Sequence, residues 1–125
     1  MRLHHIGIAC DDIQKEQDQI EKIHNVVSIS DIVFDENQNA YLCMVEIENG
    51  LNIELIAGKR VENFIKKRIS YYHLCYEVDD INYEITRLQE SGAFLVAEPQ
   101  PAILFNNKKV AFLMVSYGLI ELLEC

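Results

Sequence analysis

The sequence predicts an α+β fold in which one βαβββ unit occurs twice. Three observations carry that expectation. The stretch "HIGIACDDI" from His5 returns as "HLCYEVDDI" from His73, 68 residues later, and self-similarity of this kind marks a duplicated unit. "GLNIELIA" closes the first copy and "GLIELLEC" closes the second. Between these marks both copies run through the same order of strand and helix patterns.

The elements follow in order. Leu3–Ala9 reads as a strand. Asp11–Asp12 then offers a helix N-cap, with Gln14 three residues after Asp11 as in a capping box. The helix runs to about Ile23, its apolar side marked by Ile13, Ile20 and Ile23. Three β-rich runs come next, Val26–Phe34, Ala40–Glu48 and Leu51–Ala57, and Asn49–Gly50 is a strong hairpin signal between the last two. Gly58–Ser70 is a charged connector with room for a short helix. The pattern then returns as a strand over Tyr72–Val78 and a helix capped by Asp80. That helix carries Ile81, Ile85 and Leu88 on one face and is closed by Gly92. "AFLVAEP", "KKVAFLMV" and "GLIELLE" supply three more strands. The first module is therefore expected over residues 1–60, the connector over 61–70 and the second module over 71–125.

Half of the 125 residues are apolar and a quarter charged, which suits one compact globule. A net charge of −9 makes nucleic acid and anionic membrane poor partners. No apolar run approaches the roughly 20 residues of a membrane helix, and Met-Arg-Leu-His-His lacks the apolar core of a signal peptide. Cys10, Cys43, Cys75 and Cys125 form no Cys-x-x-Cys pair and read as free thiols of a reducing, cytoplasmic compartment.

Four side chains stand out. In strand alternation His5 shares its face with Gly7 and Ala9, and His73 shares its face with Cys75 and Glu77. Glu54 and Glu121 interrupt otherwise apolar strands, and a buried carboxylate is costly unless it is paired or holds a metal. His5 to Glu54 spans 49 residues and His73 to Glu121 spans 48. A lone strand histidine is more often a core residue than a ligand, but recurrence at matched positions of both copies favours a site. Two imidazoles and two carboxylates suit one divalent ion per chain, whether Zn, Ni, Co, Mn or Fe. His4 and His24 read as surface or packing residues.

On these motifs the chain resembles the vicinal oxygen chelate superfamily, which includes glyoxalase I, methylmalonyl-CoA epimerase, ring-cleaving dioxygenases and antibiotic-binding proteins. "HIGIACDDI", "HLCYEVDDI", "KKVAFL" and "GLIELLE" are most similar to the epimerase branch. The resemblance implies a cupped, eight-stranded mixed sheet around a metal site whose ligands are His5, Glu54, His73 and Glu121. Epimerases often carry glutamine at the second of these positions, and Glu54 is similar to glyoxalase I there. Ala9 and Cys10 stand where glyoxalase I carries a substrate-binding arginine. A second, non-ligand glutamate of the epimerases falls in register with Leu42 or Cys43, with Glu46 nearby.

The activity implied is that of a metal-dependent isomerase or lyase, moving a proton α to a carbonyl or thioester. Glu121 is the first choice of base, flanked on its face by Leu119 and Leu123, and Glu54 is the second. The alternatives are a lyase of the lactoylglutathione type and a metal-free binding module. Lys66, Lys67 and Arg68, or Lys108 and Lys109, could hold an anionic group or be solvated surface. Pro101–Phe105 could line a pocket or pack as an edge strand. Exposed sheet edges, together with the habit of the superfamily, point to a homodimer.

Overall fold

The computed structural model describes residues 1–125. Nine strands occur: β1 (Arg2–Ala9), β2 (Val26–Ile29), β3 (Val33–Asp35), β4 (Ala40–Ile47), β5 (Asn52–Ala57), β6 (Tyr71–Val78), β7 (Phe94–Ala102), β8 (Lys108–Val115) and β9 (Gly118–Glu124). Three helices join them: α1 (Ile13–Ile23), α2 (Glu62–Lys66) and α3 (Ile81–Glu90). All strands belong to one mixed sheet in the order β2-β4-β5-β1-β6-β9-β8-β7, with β3 also on β4. The run 26–34, expected as one strand, is interrupted at Ser30. There the Ser30 hydroxyl accepts from Met44 N–H at 2.8 Å in place of a backbone partner. Its two pieces both lie on β4, so eight sheet positions hold nine strands.

The repeat governs the layout. β1 pairs with β5 in parallel, β6 pairs with β9 in parallel, and β1 and β6 meet antiparallel at the centre. α1 and α3 are each capped by the second aspartate of an Asp-Asp pair: Asp12 Oδ1 accepts from Lys15 N and Asp80 Oδ1 from Tyr83 N, contacts whose loss typically costs about 1 kcal/mol. In α1 the buried positions are Ile13, Gln17 and Ile20, and the counterparts in α3 are Ile81, Ile85 and Leu88. Ile23, expected on the apolar side, is exposed because it lies past the phase set by Ile13 and Ile20. Gln17 is tolerated in its place because its amide reaches Cys43 Sγ at 3.1 Å. Gly92 takes φ +99 to end α3, and Ala93 N–H donates to Leu88 O, the pattern of a left-handed helix stop.

α1 and α3 cover the outer face of the sheet, over Cys43, Val45 and Leu55 in one half and Ala111, Leu113 and Leu122 in the other. The inner face carries two further apolar clusters. One holds Ala9, Leu42, Ile56, Val61 and Tyr72, and the other holds Cys75, Val110, Phe112 and Leu123. β3 and β7 occupy opposite sheet edges, yet Asn37 Nδ2 donates to Pro101 O at 2.9 Å. The sheet therefore curls until its two wings touch, and the concave face becomes a closed cup.

Candidate metal centre

The two central strands bring the histidines together. Because β1 and β6 run antiparallel, His5 pairs with Cys75 and Gly7 pairs with His73. The parallel partners supply the carboxylates: Glu54 sits beside Gly7 and Glu121 beside Cys75. Each glutamate thus lies next to the small residue two positions after a histidine. Gly7 has no alternative, since a Cβ there would fall 2.4–2.8 Å from three atoms of the His73 ring.

All four predicted side chains converge. His5 Nε2 lies 3.4 Å from Glu54 Oε1 and 3.1 Å from Glu121 Oε1, while His73 Nε2 lies 3.4 and 3.2 Å from the same atoms. The two Nε2 atoms are 3.1 Å apart, and every ligand atom is within 4.8 Å of the others. A point equidistant from four atoms so spaced lies about 2.0–2.4 Å from each, a coordination distance for a divalent ion. His5, Glu54 and Glu121 are 0 % exposed and His73 is 4 % exposed.

No lysine, arginine or amide donor reaches either carboxylate, and all four of their oxygens lack a hydrogen bond. Two such groups side by side in an apolar cup are expensive without a counter-charge. A divalent cation would neutralise both and satisfy the imidazoles, so the donor set fits a metal. In the metal-free protein burial opposes the charge on His5, but Glu54 and Glu121 outweigh it and raise its pKa to about 10. His73 moves up by the same balance of burial against the carboxylates. Burial likewise opposes the charge on Glu54 and Glu121, and the imidazoles prevail and hold both below the ordinary carboxylate range.

A β-bulge precedes each histidine. The register slips between Leu3 and His5 on β1, and between the partners of Gly7 and Ile8 on β6, leaving His4 and Tyr72 as the extra residues. Both therefore turn toward the ring that follows, as edge-on contacts at 5.1 Å (His4–His5) and 5.0 Å (Tyr72–His73). Of the two roles expected of it, surface or packing, His4 takes the packing one, edge-on to His5 and to Phe105. Its Nδ1 lies 2.9 Å from His5 Nδ1, where it can fix the ring and its tautomer. His24 does sit at the surface, 2.7 Å from Glu48.

Phe105, in the turn Ile103–Phe105 after β7, stacks on His5 at 5.5 Å, while Pro101 and Ala102 pair with β8 in the edge strand, so the strip divides between the two roles expected of it. Phe112 meets His73 edge-on at 5.6 Å. Met44 is the residue paired with Glu54, and Glu46 follows on the same face as Leu42 and Met44, its carboxylate 3.5 Å from Ser28 Oγ. Lys66, Lys67, Arg68, Lys108 and Lys109 are all exposed. An apolar cavity of about 270 Å³ reaches His73 between Phe64, Tyr72, Met114 and Leu119. Arg60, unmarked in the sequence, donates from Nε to Tyr72 Oη at 3.1 Å. No spacing rule would have singled it out, because it lies in the connector and has no counterpart in the second copy.

Residues 4–112 match the family model of the Glyoxalase/Bleomycin resistance protein/Dioxygenase superfamily. The chain belongs to that superfamily. Within it, the chain is 27 % identical over 118 residues to an ethylmalonyl-CoA/methylmalonyl-CoA epimerase of Cereibacter sphaeroides, covering 90 % of this chain and 87 % of that one. The structure of methylmalonyl-CoA epimerase from Mycobacterium tuberculosis superposes with a TM-score of 0.84 at 22 % identity, over 98 % of this chain and 87 % of that one. The Streptomyces coelicolor epimerase, in complex with 2-nitronate-propionyl-CoA, superposes with a TM-score of 0.75 at 18 % identity, over 99 % and 94 %. These two likenesses are likenesses of fold. No helix of this superfamily member is long and apolar enough to cross a membrane.

Proposed function

We propose that the protein is a metal-dependent, cytoplasmic enzyme that moves a proton on the carbon α to an acyl-thioester carbonyl, in the manner of an epimerase. The observation that carries this is the set of four buried donor atoms around a gap of metal size, with two carboxylates whose only close polar partners are the two imidazoles. The epimerase likeness of the curated relative supports the thioester as substrate class.

His5, Glu54, His73 and Glu121 would hold the ion. Once bound, it would polarise the thioester carbonyl and so make the neighbouring C–H acidic. The chain's own residues supply the rest. Glu121 is the preferred base: it lies between Leu119 and Leu123 on its own strand and opposite Phe112, so little water competes for the proton it takes. Glu54 is the second carboxylate within reach. Glu46, on the same concave face one pair beyond Met44, is the third candidate. Phe105 over His5 and the edge-on rings of His4 and Tyr72 hold the imidazoles and exclude water. On this reading modules 1–60 and 71–125, joined by 61–70, each supply one histidine and one glutamate to a single centre, and two chains pair as a homodimer.

The glutamate at position 54, in place of glutamine, favours a second reading: a lyase acting on a thiol–aldehyde adduct. One experiment separates the two. The Co²⁺- or Zn²⁺-loaded protein is incubated in D₂O with 2-carboxyacyl-CoA thioesters and, separately, with the hemithioacetal of glutathione and methylglyoxal. Deuterium uptake into the thioester supports the epimerase reading. Turnover of the hemithioacetal alone overturns it, and inertness toward both leaves a binding module.

A further inference from the structure

The two imidazoles of the centre are not held alike. His5 turns Nε2 toward the carboxylates and Nδ1 toward His4 Nδ1, at 2.9 Å. His73 turns Nε2 the same way, but its Nδ1 is buried and has no hydrogen-bond partner. The difference traces to one residue exchanged between the copies. The offset of 68 sets Tyr72 on His4, each edge-on to the ring that follows it. The Tyr72 hydroxyl is taken by Arg60 Nε at 3.1 Å, whereas His4 offers a ring nitrogen to its neighbour.

An ion on His5 Nε2 settles the proton on that ring. A neutral imidazole has one N–H and one bare nitrogen, so the proton goes to Nδ1. The nitrogen facing that N–H is His4 Nδ1, which accepts the bond as the bare nitrogen of its own ring. Several contacts keep this acceptor aimed. The backbone oxygen of His4 accepts from Asn52 Nδ2 at 3.1 Å, and its ring meets Phe105 edge-on at 5.6 Å. Phe105 in turn stacks on His5, so one aromatic ring braces both histidines.

We propose that His4 is a positioning residue for the metal, and that it makes His5 the stronger of the two imidazole ligands. A hydrogen bond accepted from a ligand's N–H locks the ring and raises its basicity toward the ion. His73 lacks that support, and packing alone fixes its ring, between Tyr72, Phe112 and the bare backbone of Gly7. The first module therefore anchors the ion, and the second completes the ligand set. The inference rests on the proposed metal centre, and its test keeps the two apart.

Two variants separate the hydrogen bond from the packing. His4→Phe keeps a ring against His5 and Phe105 and removes the acceptor. His4→Asn gives up the ring and returns an acceptor oxygen near the place of Nδ1. Thermal unfolding of the metal-free proteins checks that each is folded, and Co²⁺ is titrated calorimetrically into each. Loss of such a supporting partner typically costs about 10–100-fold in metal affinity, so His4→Phe should bind Co²⁺ that much more weakly and His4→Asn should recover most of the loss. Proton NMR of the Co²⁺-loaded wild type should show the two ligand-ring N–H protons as strongly shifted signals that vanish in D₂O. The signal of His5 should move in the variants while that of His73 stays in place. Wild-type affinity in His4→Phe, no recovery in His4→Asn, or equal movement of both signals overturns the role of His4 and leaves the metal centre standing. Failure of the wild type to take up Co²⁺ overturns both. Weak binding in His4→Phe with recovery in His4→Asn upholds the inference even where no thioester exchanges deuterium.

Discussion

Gly7→Ala tests the centre through a single methyl group. The added Cβ would lie 2.4, 2.6 and 2.8 Å from Cε1, Nδ1 and Nε2 of His73, where ordinary contact is 3.4–4 Å. Relief needs a displacement of about 1 Å. The His73 ring cannot retreat freely, because Tyr72 and Phe112 meet it at 5.0 and 5.6 Å. Overpacking of this kind costs about 1–3 kcal/mol. For a chain of 125 residues that corresponds to a fall of roughly 4–11 °C in the Tm of the metal-free protein. The larger effect falls on the ion. A ligand moved by about 1 Å leaves the common radius, and Co²⁺ or Zn²⁺ affinity should drop at least about 10-fold. Calorimetric titration of Co²⁺, with unfolding followed before and after loading, reads both quantities. The control is Cys75→Ala, the matched position in the other copy, which shrinks the side chain and should leave affinity within about threefold, short of the 10-fold lost with a ligand-supporting contact. Wild-type Co²⁺ affinity in Gly7→Ala would refute both the clash and the assignment of His73 as a ligand.

The same geometry sets the remaining expectations. Glu121→Gln keeps an oxygen donor and the side-chain volume but cannot accept a proton, so deuterium exchange should fall about 10²–10⁴-fold while Co²⁺ binding survives, and Glu54→Gln should cost much less; equal rates in both variants would place the base elsewhere, with Glu46 next. The pKa of His5, raised to about 10, means that the metal-free centre holds a proton at neutral pH which an incoming ion must displace. Metal affinity should therefore rise with pH, and calorimetry in buffers of different ionisation enthalpy should show proton release; none would contradict that protonation state. The same shift stabilises the metal-free fold fully below the ordinary histidine value of 6.5 and is lost as pH rises through about 10. The lowered carboxylates contribute fully above their ordinary 4.5 and less as pH falls, so the metal-free Tm should peak between these limits. Light scattering at micromolar concentration should return twice the 14.5 kDa chain mass, and a monomeric mass would remove the dimer.

Much of the fold and the centre was legible because the duplication repeats its physics. An offset of 68 places His73 on His5, Asp80 on Asp12, and Ile81, Ile85 and Leu88 on Ile13, Gln17 and Ile20. Glu54 and Glu121 were visible as charges inside apolar strands, where the cost of burial leaves few explanations. The bulges were not visible. An extra strand residue carries no glycine or proline to announce it, so nothing in the sequence set His4 beside His5. The break at Ser30 hid for a similar reason, since it turns on a side chain accepting a backbone bond. Arg60 was beyond reach because it arrives from a connecting segment and only the fold sets it over Phe112, whereas Phe105 lay within a strip whose two readings, pocket wall or edge strand, the sequence left open.

The central pairing of β1 with β6 carries one more implication. It runs an approximate twofold axis between the two histidines, with Glu54 from one copy and Glu121 from the other facing each other across it. A carbon held on that axis would meet a carboxylate on either side. On the proposed reaction, each face of that carbon would have one carboxylate over it, Glu121 as the preferred base and Glu54 as the second. Ancestral duplication of the unit would then be the origin of a centre with an acid–base group on both sides of one substrate atom.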